Sequence, residues 1–159
     1  MINTKKDIEN FINDKSFRKI FVLTGKKSFI TSGAKNFLKK ILINKEIKLF
    51  HKNSELPVLE ELIEIINHIK DFKPNLILAI GGGTVIDYAK IANTVDVRDK
   101  LKNLIINYSY PFKDKYTKLA VIPTTAGSGA EVTSNAVIYV DGIKHSFESE
   151  LLIPDYFFL

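Results

Sequence analysis

The chain has 159 residues, of which 45% are hydrophobic and 26% charged, and it carries a formal net charge of +5. That length suffices for one domain with its own core, and the absence of cysteine excludes disulfides, thiolate nucleophiles and cysteine-based metal sites. No apolar run approaches the roughly 18 residues of a membrane span, and residues 1–7 lack a signal-peptide pattern. We therefore expect a globular, cytoplasmic protein with no membrane partner.

Positive charge is concentrated in the first third of the chain. Residues 1–52 carry 13 Lys and Arg against 4 Asp and Glu, whereas residues 53–159 carry 10 against 14. A nucleic-acid surface would gather such charges on one face and interleave them with aromatic rings. Here the lysines punctuate amphipathic segments such as residues 35–42, which is typical of solvated helix faces. We expect no nucleic-acid partner.

Strand and helix patterns alternate over most of the chain. Apolar runs and helical spacings predict strands at 19–24, 47–50, 76–80 and 119–122, and helices within 32–43, 57–69 and 84–95. Pro57 is expected at the first position of the second helix, with Glu60, Glu61 and Glu64 on its exposed side. The alternation predicts an α/β fold, with a Rossmann-like parallel sheet and helices on both faces.

Three consecutive glycines, Gly81, Gly82 and Gly83, follow the third predicted strand. Without a Cβ they let an anion approach the main-chain N–H groups that a helix start leaves unpaired, aided by the positive end of the helix dipole. Thr84 and Asp87 have the spacing of a capping pair for that helix. The pattern predicts a phosphate-binding turn. The alternative is a tight turn in which glycine only relieves backbone strain.

A loop rich in hydroxyls and glycine follows the fourth predicted strand, which Pro123 ends. Its hydroxyl groups could donate to an oxyanion or a ribose, and they belong to Thr124, Thr125, Ser128 and Thr133. The alternative is a solvated turn whose hydroxyls bond their own backbone. Two such loops at the carboxyl ends of parallel strands predict a ligand crevice.

The last part of the sequence changes pattern. Asp141-Gly142 between two alternating segments, 135–140 and 143–147, predicts a β-hairpin appended to the parallel sheet and a candidate lip over the ligand. An apolar strand is predicted at 153–159. The histidines of the chain lack the paired spacing of a metal site and are expected at the surface or in turns; they are His51, His68 and His145.

These motifs resemble the amino-terminal domain of the iron-containing (group III) alcohol dehydrogenases. The resemblance rests on Gly-Gly-Gly-Thr-x-x-Asp-x-Ala-Lys at 81–90 and Pro-Thr-Thr-Ala-Gly-Ser-Gly-Ala-Glu-Val-Thr at 123–133, in matching order and spacing. Agreement at 23–26, 141–146 and 152–155 extends it over nearly the whole chain. Glycerol dehydrogenases and dehydroquinate synthases share this dehydroquinate synthase-like fold and a similar glycine turn. The long second loop points away from the synthases.

The resemblance implies that residues 1–159 are the dinucleotide-binding domain of an NAD- or NADP-dependent enzyme that interconverts a small alcohol and its aldehyde or ketone. In the family a helical domain follows, in which an Asp and three His bind divalent iron or zinc. The chain is expected to lack this C-terminal metal-binding domain and to be inactive alone. A homodimer is a candidate assembly. Two alternatives stay open: a non-catalytic nucleotide-binding module, and the cofactor domain of a glycerol dehydrogenase-like enzyme.

The resemblance also assigns individual residues to parts of the dinucleotide. They are Gly82, Gly83 and Thr84 for the pyrophosphate, Thr124 and Thr125 for the adenine-side ribose and phosphate, Ser128 and Thr133 for the nicotinamide half, and Lys144 for ribose hydroxyls. Asp87 is expected chiefly to cap its helix, with a second role in orienting the nicotinamide end.

Two positions depart from the family pattern. Many NAD-preferring members carry an acidic residue after the first strand that bonds the ribose 2′-OH, whereas this chain has Gly25 followed by Lys26 and Lys27. Because a carboxylate would repel a 2′-phosphate and lysine attracts it, NADP is predicted over NAD. The alternative is that both lysines face solvent. Leu56 replaces the Asn that often precedes the proline at this point, so that adenosine-side contact is either missing or supplied by Asn53.

Overall fold

The computed structural model describes residues 5–13, 17–95, 100–109, 112 and 114–159. In this part of the chain the strands are β1 (Lys19–Gly25), β2 (Glu46–Lys52), β3 (Leu76–Gly81), β4 (Lys118–Pro123), β5 (Asn135–Val140), β6 (Ile143–Glu148) and β7 (Tyr156–Phe157). The helices are α1 (Lys5–Asn13), α2 (Lys26–Thr31), α3 (Ala34–Ile41), α4 (Leu59–Phe72), α5 (Gly83–Thr94) and α6 (Leu101–Ile106), with a 3-10 helix at Glu150–Leu152. None of these helices combines the length and apolarity needed to cross a membrane.

Five strands form one parallel sheet in the order β2-β1-β3-β4-β7. In β1, Thr24 lies opposite His51 of β2 and Ile80 of β3. The last residue of β3, Gly81, lies opposite Pro123 of β4. The carboxyl ends of these strands therefore meet at one edge of the sheet. The predicted α/β fold with a parallel sheet is confirmed.

Both faces of the sheet are covered by helices. Side chains of β1 and β3 alternate between the faces, so Ile20 and Val22 join the core beneath α1, α2 and α3, whereas Phe21 and Leu23 join the core beneath α4 and α5. Every residue of β3 is buried. A strand at the centre of a doubly covered sheet has no polar face, which is why this segment is a continuous apolar run in the sequence.

The helix predicted within 32–43 is present as α3 (Ala34–Ile41). Gly33, in a left-handed conformation (φ 76°), separates it from α2, which was not predicted. The helix expected to start at Pro57 begins at Leu59, since Val58 is an extended N-cap residue whose N–H donates to the Tyr88 hydroxyl at 2.7 Å. Helices α1 and α6 were not predicted.

The predicted hairpin is present as β5 and β6. Both residues of its turn have positive φ, Asp141 at 51° and Gly142 at 79°, as a two-residue turn of type I′ requires. The hairpin packs on the α4 and α5 side of the sheet, where Ala136 and Ile138 enter the core. The strand predicted at 153–159 is reduced to β7, because the 3-10 helix and a bend precede it.

Candidate functional site

The strand order creates a switch point between β1 and β3. The connection from β1 to β2 runs through α2 and α3 on one face, whereas the connections before and after β3 run through α4 and α5 on the other. In open parallel sheets the ligand crevice lies outside the carboxyl ends of the strands at such a point. Gly25 ends β1 there, with Lys26 after it, and Gly82 and Gly83 follow β3.

The glycine turn, residues 81–83, leads into α5 without a side-chain cap. Gly82 is the N-cap residue, and its carbonyl accepts the first hydrogen bonds of the helix. The predicted capping pair is wrong: Thr84 Oγ1 donates to the carbonyl of Glu55 at 3.2 Å, and Asp87 accepts from the hairpin instead of its own helix. The uncapped helix start is suited to an anion.

The glycine turn is packed against the hydroxyl loop, residues 124–134. A Cβ on Gly82 would lie 2.9 Å from Thr125 Oγ1, and a Cβ on Gly83 would lie 3.4 Å from Ser128 Cβ. The first distance is shorter than a real Cβ contact, so no side chain fits at Gly82 unless Thr125 moves. The structure thus brings together four of the residues predicted from sequence to hold the cofactor.

Thr124 supplies the observation that most favours a ligand. Its N–H donates to the Gly81 carbonyl at 3.0 Å, but its Oγ1 is buried and has no hydrogen-bond partner among the described residues. A buried hydroxyl left unpaired costs about 1–3 kcal/mol, and an oxygen-rich ligand would remove that cost. The alternative in which loop hydroxyls bond their own backbone fits Ser128, which accepts from the Ala130 N–H at 3.4 Å, but does not fit Thr124.

An acid and a base on α5 connect this helix to the hairpin and the hydroxyl loop. Asp87 Oδ2 accepts from the Val137 N–H at 3.3 Å. Burial raises the pKa of Asp87 to about 6, although the nearby Lys90 acts in the opposite direction. Lys90 has no exposed surface, and burial lowers its pKa to about 8. Its Nζ donates to the Thr133 and Asn135 carbonyls and to Thr133 Oγ1.

Sequence reasoning overlooked Lys90 as a member of the site. The sequence does indicate that Lys90 is buried. Its neighbours in α5, residues 89 and 91–92, are all apolar, so this part of the helix has no polar face to turn toward solvent. Perturbed acids and bases next to a cleft are candidates for function, although structural networks perturb pKa values too.

Lys144 lies on β6 of the hairpin, opposite Tyr139 of β5. This pair is next to Val140 and Ile143, the pair that flanks the turn. Its side chain is exposed. Its positive charge contributes to lowering the pKa of Asp87 against the larger effect of burial. Lys144 is therefore within electrostatic range of α5, on the element that was predicted to form a lip.

Lys26 and Lys27 begin α2 and are exposed. Lys26 lines a cavity of about 610 Å³ between β2, α2 and α3, together with His51 at the end of β2. Burial lowers the pKa of His51, and the charge of Lys26 lowers it further. Lys26 consequently lies on the β2 side of the switch point, whereas the glycine turn lies on the β3 side.

Glu61 is a buried carboxylate that the sequence placed wrongly on the exposed side of α4. It accepts hydrogen bonds from the N–H groups of Asn53 and Ser54 and from the Tyr88 hydroxyl. Burial alone would raise the pKa of Glu61, but these donors outweigh it and hold the pKa below its ordinary value. The main chain of Asn53 is thus committed to Glu61, while its side chain is exposed and remains the candidate for an adenosine-side contact.

The histidines do not form a metal site among the described residues, where no group of three or more His, Cys, Asp or Glu could hold an ion. His68 lies 3.8 Å from Glu64 on α4. His145 was expected at the surface, but it is buried because the alternation of β6 turns it inward with Phe147. Neither of its ring nitrogens has a partner in the described part of the chain.

Comparison with known proteins agrees with the motifs. The sequence profile of the iron-containing alcohol dehydrogenases matches residues 3–159. Among curated proteins, the 4-hydroxybutyrate dehydrogenase of Clostridium kluyveri is 33% identical over 141 residues, which cover 86% of this chain and 37% of that protein.

Solved structures share the fold. The NADH-dependent butanol dehydrogenase A of Thermotoga maritima superposes with a TM-score of 0.84 at 23% identity, covering 98% of this chain and 40% of that one. The sulfoacetaldehyde reductase of Bifidobacterium kashiwanohense, solved in complex with NAD+, gives a TM-score of 0.84 at 21% identity and covers 99% and 42%. The chain spans less than half the length of these relatives.

Proposed function

Because the chain belongs to the iron-containing alcohol dehydrogenase family, we propose that it is the dinucleotide-binding domain of an NAD- or NADP-dependent enzyme that interconverts a small alcohol and its aldehyde or ketone. Relatives named for 4-hydroxybutyrate, butanol and sulfoacetaldehyde support a small substrate. The reductase solved with NAD+ supports the cofactor class.

The unpaired, buried Thr124 hydroxyl carries the proposal for this chain. It lies in the loop that touches the glycine turn, next to the uncapped start of α5. In this arrangement Gly82 and Gly83 would admit the pyrophosphate to the helix start, and Thr124 and Thr125 would donate to the adenine-side ribose and phosphate. Thr84 would contribute through its main-chain N–H, since its hydroxyl is bonded to Glu55.

The chemistry of the whole enzyme needs a second group. When bound, a divalent iron or zinc ion would supply Lewis acidity toward the substrate oxygen, and the nicotinamide would supply hydride transfer. The described residues offer no ligand set for that ion. The resemblance assigns its ligands to a helical domain that follows this one in the family. The role of this chain is then to bind and orient the dinucleotide.

The first experiment is a fluorescence titration of the purified chain with NADH and NADPH. Saturable binding of either supports the proposal, and absence of binding to both by a folded chain contradicts it. Assays with small primary alcohols and added iron or zinc are expected to show no turnover. Turnover by rigorously pure chain would contradict the assignment of the metal ligands to another domain.

Two other functions remain testable on the same chain. The first is a non-catalytic nucleotide-binding module. It would bind the dinucleotide but restore no activity when mixed with a helical domain of a family member. A glycerol dehydrogenase-like parent would instead give a restored activity that prefers glycerol over simple alcohols.

A further inference from the structure

Lys90 ties the end of the hydroxyl loop to α5. Lys90 is two helical turns from Gly83, a distance of about 10 Å along the helix axis. Its Nζ lies 2.8 Å from the Thr133 carbonyl oxygen, 3.2 Å from Thr133 Oγ1 and 2.9 Å from the Asn135 carbonyl oxygen. An ammonium group has three donors, and here all three are used. One fully buried lysine therefore fixes the junction between the hydroxyl loop and β5.

The bond to Oγ1 determines how the Thr133 hydroxyl can act. An ammonium group can only donate, so Oγ1 must accept from Lys90, and the proton of the hydroxyl is left to donate elsewhere. In the described part of the chain this hydroxyl donates to no protein atom. The oxygen keeps a second lone pair, but the proton has no acceptor among the described residues and is available to a ligand.

The charge state of Lys90 supports this direction. The negative charges of Asp87 and Glu131 favour its protonated form and oppose the effect of burial on its pKa. With a pKa of about 8, Lys90 is mostly an ammonium at neutral pH. Lys144 acts on Asp87 rather than on Lys90 itself.

The other end of the same loop touches the glycine turn through Thr125 and Ser128. The proposed function puts the pyrophosphate at the glycine turn, and the resemblance assigns Thr133, near the far end of the loop, to the nicotinamide half of the dinucleotide. We propose that Lys90 is a positioning residue that holds the Thr133 hydroxyl as a hydrogen-bond donor to an acceptor oxygen in the nicotinamide half of the cofactor. This inference rests on the proposed function.

The test compares NADH with ADP, which lacks the nicotinamide half. Thr133→Val and Lys90→Met are each expected to weaken NADH binding about 5- to 10-fold, the value of one hydrogen bond. ADP binding should change less than about twofold. Thr133→Ser keeps the hydroxyl and should bind NADH like the wild type. The double variant Lys90→Met with Thr133→Val should bind NADH no worse than either single variant, because both remove the same bond.

Several results would overturn the proposal about Lys90 and Thr133. Unchanged NADH affinity in Thr133→Val shows that this hydroxyl does not donate to the cofactor. Equal losses for NADH and ADP in Lys90→Met, or losses that add in the double variant, show that Lys90 acts on the fold as a whole. If Lys90→Met does not fold, the pH profile replaces it: NADH affinity should fall above about pH 8 in the wild type and stay flat in Thr133→Val. A flat wild-type profile overturns the proposal.

Amide hydrogen exchange without ligand separates this inference from the proposed function. Lys90→Met should speed exchange in residues 127–135, whereas Thr133→Val should not, because both carbonyl bonds of Lys90 remain. Unchanged exchange in Lys90→Met overturns the positioning role even if NADH binds. If the folded wild type binds neither NADH nor ADP, the proposed function fails, and the donor assignment fails with it.

Discussion

The Tyr88 hydroxyl donates to the Glu61 carboxylate at 2.9 Å and joins α5 to α4 behind the glycine turn. The same carboxylate holds the main chain of residues 53–54, and this segment continues to Glu55, whose carbonyl accepts from Thr84 at the start of α5. A buried acid therefore fixes the irregular segment on which the start of α5 rests.

Replacing Glu61 by Gln should lower the free energy of unfolding by about 1–3 kcal/mol, because the amide NH2 would face a main-chain N–H where a carboxylate oxygen now accepts. Urea unfolding at pH 7.5 measures it. The folded-state pKa of Glu61 is lowered, so its contribution is complete above the ordinary glutamate pKa and is lost as pH falls through the folded-state value. Glu60→Gln, exposed on the same helix, is the control and should change stability by less than about 0.5 kcal/mol. Equal effects of the two variants would contradict the role of Glu61.

Gly82→Val should weaken NADH binding by at least about 100-fold, since its side chain would occupy the approach to the start of α5 and press on Thr125. Titration calorimetry measures the affinity, and circular dichroism verifies folding. The double variant Gly82→Ala with Thr125→Ala lacks the 2.9 Å contact. We expect it to be as stable as the wild type but to bind NADH more weakly. Wild-type affinity in folded Gly82→Val would show that the glycine turn does not bind phosphate.

Asp87→Asn should stabilise the chain at neutral pH. The folded-state pKa of about 6 exceeds the ordinary value of 3.8, so the folded state holds the proton more tightly and wild-type stability falls as pH rises from about 4 to 6. The amide has no such loss. The advantage of Asp87→Asn should grow from near zero at pH 4 to at most about 3 kcal/mol above pH 6. Unfolding of both proteins at pH 4 and 7.5 tests it, with exposed Asp71→Asn as the control; a pH-independent difference would contradict it.

Gly25→Asp should shift cofactor preference toward NAD. A 2′-phosphate paired with one exposed lysine is worth about 1 kcal/mol, so we expect the NADP-to-NAD affinity ratio to fall about fivefold, with a smaller change at high salt. Both affinities are measured for both proteins, after thermal melts establish that the buried position tolerates the change. An unchanged ratio would mean that Gly25 does not read the 2′ group.

The sequence was sufficient to predict the parallel sheet and the meeting of the glycine turn with the hydroxyl loop. Runs such as residues 76–80 are apolar because both faces of the sheet are covered. The hairpin was predictable because Asp141-Gly142 strongly favours a two-residue turn. The glycine turn and hydroxyl loop could be placed at one edge of the sheet because parallel strands end together.

The buried charges could not be predicted in the same way. Glu61 lies among residues that favour a helix, and local spacing does not show that Asn53 will come close from a distant segment. The apolar neighbours of Lys90 indicate its burial, but they do not show that Thr133 will be its partner. Long-range partners decide whether such a side chain is buried. The start of α4 was misplaced for the same reason, since Val58 is held by Tyr88, thirty residues away along the chain.

β2 is an outermost strand of the sheet, and this position gives the basic first third of the chain a role that involves no ligand. An outermost strand offers unpaired main-chain groups to other copies of the chain, and on β2 the exposed Ile47 and Leu49 also favour association. Lys48 and Lys52 outnumber Glu46 on this strand, so two copies meeting edge to edge would bring net positive charge together. We expect this repulsion to disfavour association through β2, and to weaken as salt shortens the screening length to about 3 Å at 1 M.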